Sequence, residues 1–204
     1  MLNGFTAVID YGVGNLKSVT NAMDYVGLKT EITAEKSRIE SADAIILPGV
    51  GAFPDAFERL RDRGLPALLR EQARKKPILG ICLGMQLLFD GSSEVRDCPG
   101  LGFIPGWVRR METPLKLPHI GWNDLKFPNA SPLFRGLTEN SYVYFVHTYA
   151  GKAKNPEDVI AVTEYGTSVM AAVARGNVYG CQFHPEKSGE IGLQILKNFG
   201  GMMG

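Results

Sequence analysis

"KKPILGICLGMQLLF", Lys75 to Phe89, decides the architecture. Pro77 to Cys82 is a short apolar run that reads as a buried strand. It stops at a cysteine flanked by Gly80 and Gly84, and an amphipathic segment follows with no linker. A strand that turns straight into a helix is crowded at the crossing, and glycine relieves the crowding. The same turn lifts the side chain at its tip above the strand end. Gly-Ile-Cys-Leu-Gly therefore has the build of a nucleophile elbow. The helix N-terminus would favour thiolate over thiol, and the amide of Leu83 would point where an oxyanion forms. A buried structural cysteine is the competing reading, and it is the one adopted for Cys98 and Cys181.

The flanking sequence repeats the strand-then-helix rhythm. "FTAVID" (5–10) leads through Gly12 and Gly14 into a helical stretch from Leu16 to Val26. "LKTEIT" is a second strand and "DAIILPG" (43–49) a third, with helices over 54–63 and 65–75. Such alternation implies a mostly parallel sheet with crossover helices. From Pro99 to Arg175 helical periodicity disappears, and "NDLKF", "YVYFVHTYA", "DVIAVTEY" and "SVMAAVARG" read as antiparallel strands. "NVYGCQFHPE" returns to the strand pattern, and Ile191 to Phe199 reads as a closing helix. The expectation is one α/β domain over 1–204.

Composition narrows the function classes. With 204 residues and a formal charge of +1, no basic or acidic run invites nucleic acid or an anionic membrane. The first residues, "MLNGFTAVIDYG", look like a strand and not a leader, so a cytoplasmic chain is expected. Three cysteines without a CxxC pair and three histidines without HxxxH spacing suggest neither disulfide framework nor metal. "DYGVGN" (10–15) lacks the third glycine of a dinucleotide fingerprint, and no cofactor is expected.

A thiolate nucleophile needs a base. In "GCQFHPEKSG", His184 follows a strand, Pro185 stiffens the turn, and Glu186 stands where its carboxylate can fold back onto the imidazole. Strand ends in an open parallel sheet share one edge, so Cys82 and His184 can meet. A turn histidine beside a solvated acid is the alternative. "LPGVGAF" (47–53) opens a strand into a glycine-rich loop whose amides at Val50 or Gly51 would supply a second oxyanion donor. An ordinary strand-to-helix turn would use the same glycines.

"PGVGAF", "GICLGMQLLF" and "GCQFHPEKSG" together resemble the signatures of class I, triad-type glutamine amidotransferases. With "DYGVGNLKSV", "LPHIGWN" (117–123) and "YFVHTY" (144–149), the resemblance narrows to the glutaminase subunits of imidazole glycerol phosphate synthases, nearly end to end. It implies a flavodoxin-like fold with an added antiparallel sheet portion. Cys82, His184 and Glu186 would form the triad, with Val50, Gly51 and Leu83 as the oxyanion hole. Gln86, Glu94, Thr148 and Tyr149 would bind glutamine. Trp122, Asn123, Tyr144 and Lys187 would face or gate the partner, a cyclase subunit built as a (β/α)₈ barrel. The chain closes on "NFGGMMG", so the ammonia user is expected to be that separate subunit. His147, inside an apolar strand, is expected to be a core histidine. The resemblance further implies low turnover without the partner, with Pro48–Gly51 resting in an unproductive conformation. A stand-alone γ-glutamyl cysteine hydrolase and a non-catalytic regulatory subunit on the same fold are the competing functions.

Overall fold

The computed structural model describes residues 4–203. The first half alternates β1 (Thr6–Ile9), α1 (Leu16–Tyr25), β2 (Thr30–Thr33), α2 (Lys36–Ser41), β3 (Ala44–Leu47), α3 (Phe53–Asp62), α4 (Leu65–Gln72) and β4 (Ile78–Ile81). β1, β3 and β4 are buried at every position, as strands covered on both faces must be. Asn15 caps α1 through Oδ1, which accepts from the Ser18 amide at 3.2 Å. A proline in the first turn of both α3 and α4 fixes φ where no amide partner is needed.

The second half runs α5 (Leu83–Gln86), β5 (Phe89–Ser92), β6 (Cys98–Pro99), β7 (Ile104–Arg110), β8 (His119–Asp124), β9 (Tyr142–His147), β10 (Tyr149–Ala153), β11 (Val159–Glu164), β12 (Ser168–Arg175), β13 (Val178–Cys181) and α6 (Gly189–Gly200). The seven-stranded central sheet has the order β11-β12-β13-β4-β3-β1-β2. Its strands from β13 to β2 pair parallel, and β12 and β11 add antiparallel at one edge. A four-stranded sheet, β10-β7-β5-β6, and a two-stranded ribbon, β8-β9, complete the fold. This is the α/β arrangement the alternation implies.

The core lies on both faces of the central sheet. On one, Phe53, Phe57 and Leu60 of α3 and Leu65 and Leu69 of α4 pack over Ile9, Ile45, Leu47 and Ile78. On the other, Val19 and Met23 of α1 and Ile195, Leu196 and Phe199 of α6 cover Val8, Ile46 and Leu79.

Several boundaries differ from the sequence reading. "YVYFVHTYA" is two strands in two sheets, parted at Thr148, because β9 pairs with β8 while β10 pairs with β7. The strand expected at "NDLKF" lies earlier, over His119–Asp124, where it can pair with all six residues of β9. After Cys82 the helix lasts one turn; residues 83–89 are buried all round, and the chain runs on into β5. α2 and the β5–β7 strands carry no clear periodicity, and the helix expected over 65–75 stops at Gln72.

Candidate active site

Three adjacent strands of the central sheet deliver the site. Pro48 follows β3, Cys82 follows β4, and His184 lies just past β13, so all three leave the same sheet edge side by side. Cys82 sits at φ 53° and ψ −110°, a strained state for a residue with a side chain. Its amide donates to the Cys181 carbonyl at 2.7 Å and its carbonyl accepts from the Gln86 amide at 3.1 Å, which hold the turn from both sides. A Cβ on Gly84 would lie 1.8 Å from the Leu47 carbonyl oxygen, and one on Gly80 would lie 2.7 Å from Gly84. Glycine is thus required at both flanks because the elbow backbone crosses its neighbours at contact distance.

His184 Nδ1 meets Glu186 Oε1 at 2.8 Å, and the two side chains are only 4% and 2% exposed. Nε2 of His184 is buried without a hydrogen-bond partner in the protein, and so is the second carboxylate oxygen of Glu186. Burial alone would lower the His184 imidazole. The neighbouring Cys82 sulfur and the Glu186 carboxylate outweigh burial and hold its pKa up at about 9. Cys82 Sγ lies 3.8 Å from the donating Gln182 amide and 4.0 Å from the Val146 carbonyl oxygen. A sulfur that could act as nucleophile, an imidazole with one unpartnered nitrogen and a carboxylate able to orient that ring therefore share one place.

A cavity of about 360 Å³ opens over them, lined by Val50, Gly51, Cys82, Leu83, Gln86 and Glu94 on one side. Val146, His147, Thr148, Tyr149 and His184 line the other. Every residue assigned to nucleophile, oxyanion hole or glutamine binding is on this wall; Glu186 stands behind His184. Gln86 Nε2 donates to the Tyr149 carbonyl at 2.9 Å and to Gln182 Oε1 at 3.0 Å. Glu94 Oε2 accepts from the Phe53 amide at 2.9 Å, which turns the carboxylate toward the start of α3. The amides of Val50, Gly51 and Leu83 make no backbone hydrogen bond among the described residues.

Trp122 and Tyr144 are cross-strand partners on the ribbon, packed edge to face at 6.0 Å, with Trp122 53% exposed. Lys187 is exposed next to the triad. Asn123 faces inward, where it contacts His119. His147 is buried with both ring nitrogens in hydrogen-bond contact, as a core histidine is expected to be, and it also lines the cavity, with Nδ1 2.9 Å from the Tyr149 carbonyl. Tyr11 and Ser188 were not anticipated. The Tyr11 hydroxyl donates to the Pro48 carbonyl at 2.6 Å; burial and then the nearby Cys82 charge push the phenol well above its usual value. Ser188 Oγ accepts from the Tyr144 amide at 3.0 Å and donates to the His184 carbonyl at 2.6 Å, joining ribbon to base.

Residues 7–201 match the family model described as glutamine amidotransferase class-I. The chain belongs to that family. It is 51% identical over 199 residues to the imidazole glycerol phosphate synthase subunit HisH of Bacillus cereus, covering 97% of this chain and 94% of that one. The HisH subunit of Bacillus thuringiensis is 50% identical over 198 residues, with the same coverage. Among solved structures, PurLQS of Thermotoga maritima shares the fold with a TM-score of 0.79 at 20% identity, over 97% of this chain and 98% of that one. The crystal structure of another glutamine amidotransferase follows with a TM-score of 0.76 at 21% identity, over 97% of this chain and 100% of that one. A class-I amidotransferase needs a nucleophile, a base and a pocket beside them, and Cys82, His184 and the cavity are the candidates for these parts. No helix among the described residues is long and apolar enough to cross a membrane. Nor does any group of three or more His, Cys, Asp or Glu among them have the geometry to hold a metal ion.

Proposed function

We propose that this chain is the glutaminase subunit of an imidazole glycerol phosphate synthase, acting as one amidotransferase domain. The Cys82 thiolate attacks the side-chain carbonyl carbon of glutamine. The oxyanion is received by the amides of Leu83 and of the Val50–Gly51 segment. His184 passes its proton to the departing amine, releasing ammonia and leaving a γ-glutamyl thioester on Cys82. Water then attacks the thioester, His184 takes its proton, and glutamate leaves. Glu186 holds the imidazole tautomer throughout. Gln86 and the Thr148–Tyr149 backbone frame the substrate, and Glu94 faces its ammonium group. The observation that carries this reading is the buried, unpartnered Nε2 of His184, backed by Glu186, beside a cysteine on a positive-φ elbow.

Ammonia protonates in bulk water and ceases to be a nucleophile, so the product passes directly to a cyclase subunit, a (β/α)₈ barrel. There it completes imidazole glycerol phosphate and aminoimidazole carboxamide ribonucleotide in histidine biosynthesis. The outward face of the ribbon suits such docking, since Ile120, Trp122 and Tyr142 are exposed apolar side chains on neighbouring positions. All three cysteines are free and buried, consistent with a reducing cytoplasm.

Glutamate release from glutamine tests the proposal, measured on the chain alone, with the cyclase subunit, and with the cyclase and its nucleotide substrate. Turnover concentrated in the full mixture and absent from Cys82→Ala is expected. Equal turnover by the chain alone would make it an independent hydrolase. No turnover in any mixture would return Cys82 to a structural role.

A further inference from the structure

His119 and His147 face each other across the ribbon as a directly paired position of β8 and β9, both on its buried side. Their rings join end to end through three contacts. His147 Nδ1 lies 2.9 Å from the Tyr149 carbonyl oxygen, and His147 Nε2 lies 3.2 Å from His119 Nδ1. His119 Nε2 lies 2.8 Å from Asn123 Oδ1. The Asn123 amide cannot be turned round, because its Nδ2 donates to the Glu164 carbonyl at 3.0 Å and a carbonyl has no proton to return. The chain of contacts therefore has an acceptor at each end.

A proton count follows. Three hydrogen bonds in this row need three N–H protons, and two neutral imidazoles supply two. Either the pair carries one positive charge, or one contact has no proton in it. Burial selects the second state at neutral pH. Desolvation lowers His119, and it draws His147 down to about 4, with the charges of His119 and His184 adding to the fall. The end partners are carbonyl oxygens, which can only accept, so the two protons are assigned to the end contacts and the middle one is left bare. The two end contacts, at 2.8 and 2.9 Å, are the shorter ones, and the middle contact, at 3.2 Å, is the longest. The lone pairs of His147 Nε2 and His119 Nδ1 thus face each other.

We propose that His119 and His147 are a single positioning unit for the glutamine subsite, two neutral rings that accept one shared solvent proton between His147 Nε2 and His119 Nδ1 on acidification. The inference rests on the glutaminase reading and deepens it. At one end, the Tyr149 carbonyl also accepts from Gln86, so His147 and Gln86 together fix the peptide that frames the substrate. At the other end, Asn123 adjoins Trp122 on the exposed ribbon. Around the pair, Tyr165 and Phe145 stack on His119 with ring centroids at 3.9 and 4.8 Å, and Glu164 enters through its backbone carbonyl. His184 is the charged neighbour of His147, with the Cys82 sulfur beyond it. The shared proton therefore puts a positive charge against the protonated His184, and the acid limb of glutamine turnover follows this pair.

The test uses long-range proton–nitrogen spectra of the full chain, with its histidine ring nitrogens labelled, across pH. Protons on His147 Nδ1 and His119 Nε2 at neutral pH, bare inner nitrogens, and one common titration are expected. Asn123→Asp puts a carboxylate at the end of the row and should raise the common midpoint by about one pH unit or more. The acid limb of glutaminase activity in the assembled enzyme should move by the same amount. Asn123→Leu removes the end acceptor, lets two protons satisfy the two remaining contacts, and should lower the midpoint; it decides the matter if the Asp variant does not fold. Three results would overturn the proposal: a head-to-tail tautomer at neutral pH, separate titrations of the rings, or an acid limb that stays put while the rings shift. The spectra need neither glutamine nor partner, so they fail or succeed independently of the proposed function.

Discussion

Cys82 is strained for its position and not for its packing. A positive φ on a non-glycine residue outside the ordinary left-handed well costs about 1–3 kcal/mol, and two hydrogen bonds plus the glycine crossings hold Cys82 there. Glycine at the same place would feel no such penalty, although it loses about 0.5–1 kcal/mol in added freedom of the unfolded chain. Cys82→Gly should therefore exceed Cys82→Ala in stability by about 1 kcal/mol, read from urea midpoints, while both lack glutaminase activity. An alanine variant as stable as the glycine one would show that the elbow is relaxed. His184 yields a second prediction at this scale. Its pKa is raised from 6.5 to about 9, so the stability it contributes is complete below 6.5 and is lost as pH rises through about 9. Glu186→Gln removes one of the groups that raise it. The alkaline decline in stability, followed by thermal melting from pH 6 to 10, should then begin at lower pH, and turnover should fall by at least about tenfold. Superimposable melting profiles for the two proteins would mean that Glu186 carries no charge interaction with the base.

Between elements, Tyr11 joins the end of β1 to the end of β3. Its hydroxyl is bound to the Pro48 carbonyl at the head of the proposed oxyanion segment, and Gly49 passes so close that a Cβ there would lie 2.8 Å from that hydroxyl. Tyr11→Phe keeps the ring and deletes one buried hydrogen bond, a loss of about 1–2 kcal/mol. Turnover in the assembled enzyme should drop about tenfold with little change in KM for glutamine, because a looser oxyanion segment hurts the transition state more than the ground state. A rise in KM at constant kcat would place Tyr11 in substrate binding instead. This contact also shows where legibility in the sequence ends. Cys82 and the His184–Glu186 pair could be read because each is encoded locally, by glycines at fixed offsets or by two residues on one turn. Tyr11, Ser188 and the His119–His147 row depend on which strand ends lie side by side, and "DYGVGN" says nothing of Pro48. The split of "YVYFVHTYA" was hidden for the same reason: nothing in its alternation tells that Thr148 is where the chain leaves one sheet for another.

For the whole molecule, the decisive fact is that hydrogen bonds join the sheet edge carrying the proposed site to the ribbon. His184 donates from its amide to the Tyr144 carbonyl at 3.0 Å, and Ser188 returns the connection from the Tyr144 amide to the His184 carbonyl. His184, the proposed base, is therefore fastened to the strand whose outer face carries Tyr142 and, opposite Trp122, Tyr144. On the proposed docking, a partner bound through Trp122 and Tyr144 would press on the backbone that holds His184. Large exposed aromatics at the centre of an interface contribute about 2 kcal/mol or more each, which is about thirtyfold in Kd. Trp122→Ser should weaken cyclase binding by about that factor in a titration, without lowering the melting temperature, because the indole is exposed in the isolated chain. At saturating cyclase the variant should still turn over glutamine, but with a smaller increase on adding the nucleotide substrate. Unchanged affinity would move the docking face away from the ribbon. Unchanged affinity with lost activation would keep Trp122 in the path from partner to base while denying it a share in holding the partner.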